Sequence, residues 1–276
     1  MPELSLCWLR RDLRLTDNAA LYHALRSGRP VLPLFIFDNI ILDALEDRHD
    51  RRVQFIHEEI NRLGAELSAM GSTLLVRYGA PQAIFQTLLH EFDVAEVFTN
   101  RDYEPYATER DALISGILRE HGIGFHAFKD QCIFETSEVL SGSGTPYTVF
   151  TPYSRRWKAL MTDFFLKPYP TERYFSNFLK TEARPIPALE EMGFKATEVG
   201  YPGRDLNRNV LRGYHERRNF PAVQGTSRLG LHLRFGTVSI RDVARQAREA
   251  NETFLNELIW RDFYFQILHH FPHVGR

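Results

Sequence analysis

The stretch Asn256–Tyr264 reads NELIWRDFY, and its side chains could together hold a base of a nucleic acid. On a helix, four of them form one continuous stripe at positions i, i+3, i+4 and i+7: Glu257, Trp260, Arg261 and Tyr264. An indole offers a stacking face, a carboxylate accepts hydrogen bonds from base edges, and a guanidinium binds phosphate. The stripe therefore predicts a surface for a base that is turned out of its duplex.

Trp260 also has a simpler interpretation. A single indole beside a carboxylate is more often a core aromatic with a polar neighbour than a binding platform. Five apolar residues of the same segment are expected to pack on the other faces of the helix: Leu255, Leu258, Ile259, Phe263 and Ile267. The pattern alone leaves open whether the indole lines a site or belongs to the core.

A second candidate site lies in the stretch GTSRLGLHLRFG, which begins at Gly225. Thr226 and Ser227 precede a helical run, and hydroxyl and N–H groups at a helix start are suited to binding phosphate. Arg228 adds positive charge beside them. An isolated Thr-Ser pair is more often an ordinary helix cap, so these residues by themselves favour the simpler interpretation.

The positive charge of the chain is concentrated near its end. Residues 201–276 contain twelve Arg, no Lys and seven Asp or Glu, a local balance of +5, whereas the whole chain carries −1. Guanidinium groups bind phosphate through a rigid fork, so an Arg-only basic segment is suited to a nucleic acid. Taken alone, however, the charge favours a simpler interpretation, a salt-bridged helical surface.

Several classes of protein do not fit the 276 residues. No apolar run is long enough to span a bilayer and no signal peptide is apparent, which predicts a cytoplasmic protein. Cys7 and Cys132 lie in apolar segments and are expected to be buried thiols, and no Cys/His spacing suits zinc. The glycine-rich motifs of dinucleotide-binding and P-loop proteins are missing.

Five short apolar runs in the first half predict strands, and helical patterns separate them. The predicted strands are Leu4–Leu9, Val31–Phe37, Thr73–Tyr78, Ala95–Asn100 and Ile123–Phe128. The predicted helices run from a cap at Asp17 to Arg26, from Arg51 to Met70, from Pro81 onward, and from Pro105 to Glu120. This alternation predicts a doubly wound, Rossmann-like α/β fold with a parallel five-stranded sheet.

The sequence then changes character twice. Residues 131–200 are rich in Pro, Gly, Ser and aromatic residues, which indicates an ordered connector between domains. From about Asp205 onward the pattern is helical without further strands. We therefore expect an α/β domain at residues 1–130, a connector at 131–200, and the beginning of an all-α domain at 201–276.

Four stretches resemble the photolyase/cryptochrome family and follow one another in the family's order. They are CWLRRDLRLTDNAAL, GTPYTVFTPYSRRW, YHERRNFPAVQGTSRLGLHLRFGTVSIR and NELIWRDFY. The resemblance runs through nearly the whole chain, and it implies an α/β domain followed by a helical domain that holds FAD. Repair members of the family use light to split pyrimidine dimers in DNA.

The resemblance also implies which residues contact the flavin. Four residues match the family's pyrophosphate-binding motif and one matches an upstream flavin-contacting Tyr: Thr226, Ser227, Arg228, Leu229 and Tyr214. Gly230 follows the motif where the family usually has Ser, so its N–H remains while one hydroxyl contact is lost.

Glu257 and Trp260 match the residues that contact the dimer, and they are the expected catalytic pair. Arg261 and Tyr264 complete the expected DNA-binding stripe, in which Arg261 would grip a phosphate. Asp262 stands where the family more commonly has Glu, a mild change. The implied partner is damaged DNA, bound by a monomer, and no metal is implied.

The resemblance gives no identity for a second, antenna chromophore. Folate-binding members have an Asn-Glu pair after the Tyr-Glu that corresponds to Tyr103 and Glu104, but this chain has Pro105, Tyr106 and Ala107. A folate is therefore not assigned. A deazaflavin, a second flavin and an empty site all stay open.

The sequence is thus most like the amino-terminal portion of a bacterial class I photolyase that repairs cyclobutane dimers with reduced FAD. A cryptochrome-type photoreceptor without repair activity is the first alternative, although Trp260 argues against the plant signalling type. A nucleotide-binding electron-transfer flavoprotein is the second. Family members continue beyond the position of Arg276 with residues that complete the flavin pocket, supply a second Trp to the lesion cleft and photoreduce the flavin.

Overall fold

Five apolar segments form one parallel sheet in the computed structural model, which describes residues 2–275. The strands are β1 (Leu4–Leu9), β2 (Val31–Asp38), β3 (Leu75–Gly79), β4 (Val94–Asn100) and β5 (Gly124–Phe128), in the order β3-β2-β1-β4-β5. Each bound lies within two residues of its prediction, and the parallel doubly wound class is confirmed.

The centre of the sheet is buried and mostly apolar because helices cover both of its faces. All residues of β1 and β2 are buried, as expected for strands inside a parallel sheet. Alternate residues of β1 pack against two helices in one apolar cluster, which includes Leu4, Leu6, Trp8, Phe85, Leu88, Ile114 and Leu118.

The helices between the strands are α1 (Ala19–Leu25), α2 (Asn39–Leu42), α3 (Arg51–Ala69), α4 (Pro81–Glu91) and α5 (Pro105–Glu120). The prediction that Asp17 caps the first helix was wrong by one residue. The side chain of Asn18 accepts the hydrogen bond from the N–H of Leu21, whereas Asp17 has a φ of +46° and accepts from the N–H of Tyr169. The left-handed turn directs Asp17 away from the helix end.

The later part of the chain contains α6 (Phe150–Leu160), α7 (Arg208–Arg212), α8 (Tyr214–Arg217), α9 (Gly230–Phe235), α10 (Ile240–Ala250) and α11 (Glu252–His270). Short 3₁₀ helices lie at Asp163–Leu166, Thr171–Asn177, Glu190–Met192 and Pro272–Gly275. Apolar residues of α6, α10 and α11 share one buried cluster, which includes Tyr153, Trp157, Val243, Phe254, Leu258 and Ile259.

The chain divides into two compact units, whose bounds do not follow the sequence in single blocks. The α/β unit comprises residues 2–101, Glu109–Phe128 and Tyr169–Tyr201. The helical unit comprises Asp102–Thr108, Lys129–Pro168 and the residues from Pro202 onward. The segment 131–200, which the sequence indicates as a connector, therefore contributes its first part to the helical unit and its second part to the α/β unit.

Cys7 and Cys132 are both buried free thiols, as the sequence predicts. Among residues 2–275, no helix combines the length and apolarity that crossing a bilayer requires. The same residues contain no cluster of three His, Cys, Asp or Glu side chains arranged to bind a metal ion.

Gly225 provides a test of the packing in the helical unit. A Cβ atom at this position would lie 2.5 Å from the main-chain oxygen of Arg217, closer than packed atoms approach. We expect Gly225→Ala to lower the free energy of unfolding by about 1–3 kcal/mol, because the main chain must move. A Cβ at Gly230 meets no atom within 4 Å, so Gly230→Ala is the matched control. Equal melting temperatures for the two variants would contradict this packing.

Candidate functional site

The predicted stripe lies on α11, which begins after Asn251. The side chain of Asn251 accepts a hydrogen bond from the N–H of Phe254 and so caps the helix. Four apolar residues of the helix are buried as predicted, namely Leu255, Leu258, Ile259 and Phe263, and Ile267 packs partly buried against the same cluster. The helix therefore fixes the direction of the stripe by burying its opposite side.

All four stripe residues line one groove of about 440 Å³ in the helical unit, here named the α11 groove. Its lining is Gln131, Gly230, Leu233, Arg234, Glu257, Trp260, Arg261, Tyr264, Phe265 and Leu268. The geometry thus brings together the residues that the periodicity places on one face. It also adds Gly230, which directly follows the predicted phosphate-binding motif.

Trp260 is half-buried and belongs to the groove and to an aromatic cluster at once. Its indole stacks on the ring of Phe150, with 3.6 Å between ring centroids and 3° between planes. Phe263 meets it edge-on at 5.7 Å, and Tyr264 lies at 5.6 Å. Neither a fully open stacking platform nor a core Trp describes this environment, because Phe150 supports a ring that still reaches the groove.

Glu257 is linked to the predicted flavin residue Tyr214 by a residue that the sequence analysis did not single out. Arg218 forms an ion pair with Glu257, and its guanidinium lies 5.4 Å from the ring centroid of Tyr214. Burial, with a smaller contribution from Glu257, raises the pKa of Tyr214. The position of Arg218, four residues after Tyr214, was the available sequence signal.

The Thr226–Gly230 segment presents polar groups to solvent around one apolar anchor. Thr226 and Arg228 are exposed, whereas Leu229 is buried. Arg228 adopts a left-handed φ of +54°, an uncommon conformation for a residue with a side chain. α9 then begins at Gly230 without a side-chain cap, and the open space around Gly230 would accept the serine common in the family.

Arg261 has main-chain partners in the structure, not the open position expected of a phosphate ligand. Its guanidinium donates to the carbonyl oxygen of Gln131 and, at 3.1 Å, to that of Leu233. It lies 4.6 Å from the ring centroid of Phe265, and burial lowers its pKa. These contacts indicate that the charge of Arg261 is used inside the protein.

Asp262 is an anchor that the sequence analysis treated as a mild change. Its buried Oδ2 accepts hydrogen bonds from the N–H of Ile133 at 3.1 Å, the N–H of Phe134 at 3.3 Å, and the indole N–H of Trp157 at 3.0 Å. Oδ1 has no hydrogen-bond partner within the part of the chain that the structure describes. Burial raises the pKa of the carboxyl to about 6, against the opposing effects of these donors and of Arg261.

In the α/β unit, the chain's own side chains pack the carboxyl ends of the central strands, where sheets of this kind bind ligands. Arg10, directly after β1, pairs with Asp111 and donates to the carbonyl of Asn100 at the end of β4. Arg10 and Arg110 both lie over the ring of Trp8, at 4.8 and 4.9 Å. This packing identifies no antenna chromophore.

The fold and the groove define a class of protein: an α/β protein with a helical unit that carries an aromatic, basic groove. The sequence profile of the family described as DNA photolyase matches residues 5–173, more than half of the chain. The protein belongs to the DNA photolyase family.

Individual relatives agree with this assignment. A deoxyribodipyrimidine photo-lyase of Halobacterium salinarum is 31% identical over 96% of this chain and 61% of its own length. A class III photolyase from Agrobacterium tumefaciens superposes with a TM-score of 0.82 at 26% identity, over 100% of this chain and 61% of that one. An archaeal photolyase from Sulfolobus tokodaii, solved with two FAD molecules, gives 0.75 at 26% identity, over 98% and 60%. The chain thus spans about three fifths of the length of these relatives.

The raised pKa of Asp262 predicts a pH dependence of stability that a neutral side chain lacks. Because its pKa is about 6 when folded and near 3.8 otherwise, the folded state binds the proton more tightly. Stability from this group is therefore present at low pH and is lost as pH rises through 6. Relative to Asp262→Asn, the native protein should gain about 1.4 kcal/mol of unfolding free energy per pH unit on acidification from pH 6 toward pH 4.

Denaturant titrations of both proteins across this range measure the difference directly. The neighbouring Cys132 stays protonated in both proteins across this range, because burial raises the pKa of its thiol well above the usual value. A pH-independent difference would show that the Asp262 carboxyl titrates as an ordinary exposed acid.

Proposed function

We propose that this protein repairs cyclobutane pyrimidine dimers in DNA by light-driven electron transfer, with FAD as its cofactor. One observation carries the proposal: Glu257, Trp260 and Tyr264 line one groove with Gly230, the residue that follows the phosphate-binding motif. A flavin held by that motif and a lesion held by the stripe would then be neighbours. The names of the relatives as photo-lyases support this assignment.

The residues of the predicted flavin site fit the chemistry of a pyrophosphate. Exposed Thr226, the partly exposed hydroxyl of Ser227 and the exposed guanidinium of Arg228 supply hydrogen-bond donors and positive charge. The uncapped start of α9 adds main-chain N–H groups. When bound in its reduced form, the flavin would supply, on photoexcitation, an electron that opens the cyclobutane ring and afterwards returns to the flavin.

The buried residues Tyr214 and Leu229 would form the inner wall of that flavin site. The ring of Tyr214 meets Phe254 of α11 edge-on at 5.0 Å, so Tyr214 is held against this helix. Arg218 connects Tyr214 with the α11 groove, because its guanidinium lies near the Tyr214 ring and forms an ion pair with Glu257. We propose that Arg218 holds the Glu257 carboxylate in place and directed at the lesion, where it accepts hydrogen bonds from base edges.

The α11 groove would receive a dimer that is turned out of the duplex. A dimer is already poorly stacked, so extruding it costs less free energy than extruding a normal pair, and this difference supplies selectivity. The indole of Trp260, supported by Phe150, and the exposed ring of Tyr264 would contact the extruded bases. The protein's contribution is positioning and electrostatics.

Phosphate contacts are expected from arginines at the rim and not from Arg261. Arg234 lines the groove, and nearly half of its side chain is exposed, with an ion pair to Glu104 at 2.6 Å. Exposed ion pairs of this kind are weak, about 0–1 kcal/mol, so a phosphate can displace Glu104 from the Arg234 guanidinium. The +5 balance of residues 201–276 supports the same surface.

Substitution of Trp260 tests the lesion site. We expect Trp260→Ala to lower the affinity for a dimer-containing oligonucleotide by about 1–3 kcal/mol, the contribution of one stacked base, with little change for undamaged DNA. Trp260→Phe keeps an aromatic ring against Phe150 and is the matched control. A core role would instead appear as about 3–5 kcal/mol of lost folding stability.

The repair activity itself is tested with the same oligonucleotide. Reduced FAD is added to the protein, and dimer content is followed under blue light and in the dark. Light-dependent loss of the dimer supports the proposal. A protein that binds FAD but neither prefers nor repairs the lesion would be a photoreceptor or an electron-transfer flavoprotein.

A further inference from the structure

Arg261 and Asp262, consecutive residues of α11, bind main-chain groups of the same short segment, residues 131–134. Arg261 donates to the carbonyl oxygen of Gln131, and Asp262 accepts from the N–H groups of Ile133 and Phe134. A cation and an anion thus grip the segment 131–134 from the same helical turn. Each is matched to the group that it binds, since carbonyls accept hydrogen bonds and N–H groups donate them.

The same two side chains reach two further elements of the helical unit. The second arm of the Arg261 guanidinium binds the carbonyl of Leu233 in α9, at 3.1 Å. Asp262 accepts the indole N–H of Trp157 in α6, at 3.0 Å. Gln131 and Leu233 both line the α11 groove, so the distance between two of its walls depends on one guanidinium.

The hydrogen bond between Asp262 and α6 also affects the surroundings of Trp260. Phe150 is the first residue of α6, and its ring stacks on the Trp260 indole. Asp262 therefore holds the helix that supports the Trp260 ring, while its neighbour Arg261 holds the groove walls. Burying a charged pair is expensive unless it is hydrogen-bonded, and here main-chain groups form four hydrogen bonds with the two side chains.

We infer that Arg261 and Asp262 are positioning residues, a main-chain clasp that fixes the walls of the α11 groove and the plane of Trp260. Neither side chain touches DNA in this arrangement. Any effect of the clasp on lesion recognition rests on the proposed function, whereas its effect on Trp260 does not.

Intrinsic fluorescence measures the clasp in the absence of DNA and flavin. The chain has three Trp residues, of which Trp8 and Trp157 are 1% and 0% exposed, so an added quencher such as acrylamide reaches mainly Trp260. We expect Arg261→Lys to increase this quenching, because an ammonium keeps the charge but cannot hold two carbonyls in a fixed fork. Trp260→Phe identifies the emission that responds.

Trp157→Phe tests the other half of the clasp without removing a charge. It keeps a buried ring but removes the N–H donated to Asp262, and the same rise in Trp260 quenching is expected. Asp262→Glu, which keeps the carboxylate, should restore more of the native quenching than Asp262→Asn. Thermal melts confirm that each variant is folded. Native quenching in folded Arg261→Lys and Trp157→Phe proteins would overturn the clasp.

DNA binding distinguishes the clasp from a phosphate contact. Arg261→Met should leave the salt dependence of binding to undamaged DNA unchanged while lowering the preference for dimer-containing DNA about tenfold, or 1.4 kcal/mol. Arg234→Ala is the comparison, and it should reduce the salt slope by about one. A reduced slope in Arg261→Met would make Arg261 a phosphate ligand and overturn the inference. Altered quenching in a protein without any lesion preference would instead refute only the repair function.

Discussion

The helical unit is organised around one buried carboxylate, that of Asp262. Removing an ionised carboxylate from water costs several kcal/mol, and hydrogen bonds to a charged group return about 1.5–3 kcal/mol each. Three donors converge on Oδ2 from Ile133, Phe134 and Trp157, and they offset part of this cost as long as all three keep their positions. Burial still outweighs them, because the pKa of the carboxyl is raised. The location of the segment 131–134 and of α6 against α11 follows from these three hydrogen bonds.

The α/β unit uses a comparable device at the end of its sheet. Asn100, at the end of β4, donates to Asp12 at 2.6 Å and to the side-chain oxygen of Asn18 at 2.8 Å, and its own oxygen accepts the N–H of Ala20. This buried amide ties the loop after β1 to the start of α1. Buried polar groups of this kind are costly when unpaired, so they specify one arrangement of the loops. In both units, buried polar side chains fix the arrangement of neighbouring segments.

The sequence allows the elements to be predicted better than the contacts of the site. Strands and helices follow from periodicity and from local signals such as Pro81 and Pro105, which lie at the first positions of α4 and α5. The stripe on α11 follows from the helical repeat as well. Periodicity assigns a residue to a face of its helix but does not identify the partner across from it. Arg261 donates to a carbonyl that is 130 residues away in sequence. Asp17 does not cap the first helix as predicted and instead accepts from an N–H 152 residues away.

The short helix α9 connects the two candidate sites, the polar Thr226–Arg228 segment and the α11 groove. Its first residue, Gly230, follows the polar Thr226–Arg228 segment, and its fourth, Leu233, supplies the carbonyl that Arg261 holds. At a rise of about 1.5 Å per residue, the two positions lie only about 5 Å apart along one rigid turn. A ligand bound by the polar segment would therefore be positioned relative to α11 through Arg261. The guanidinium that the sequence suggested for DNA phosphate instead joins the proposed cofactor seat to the proposed lesion groove.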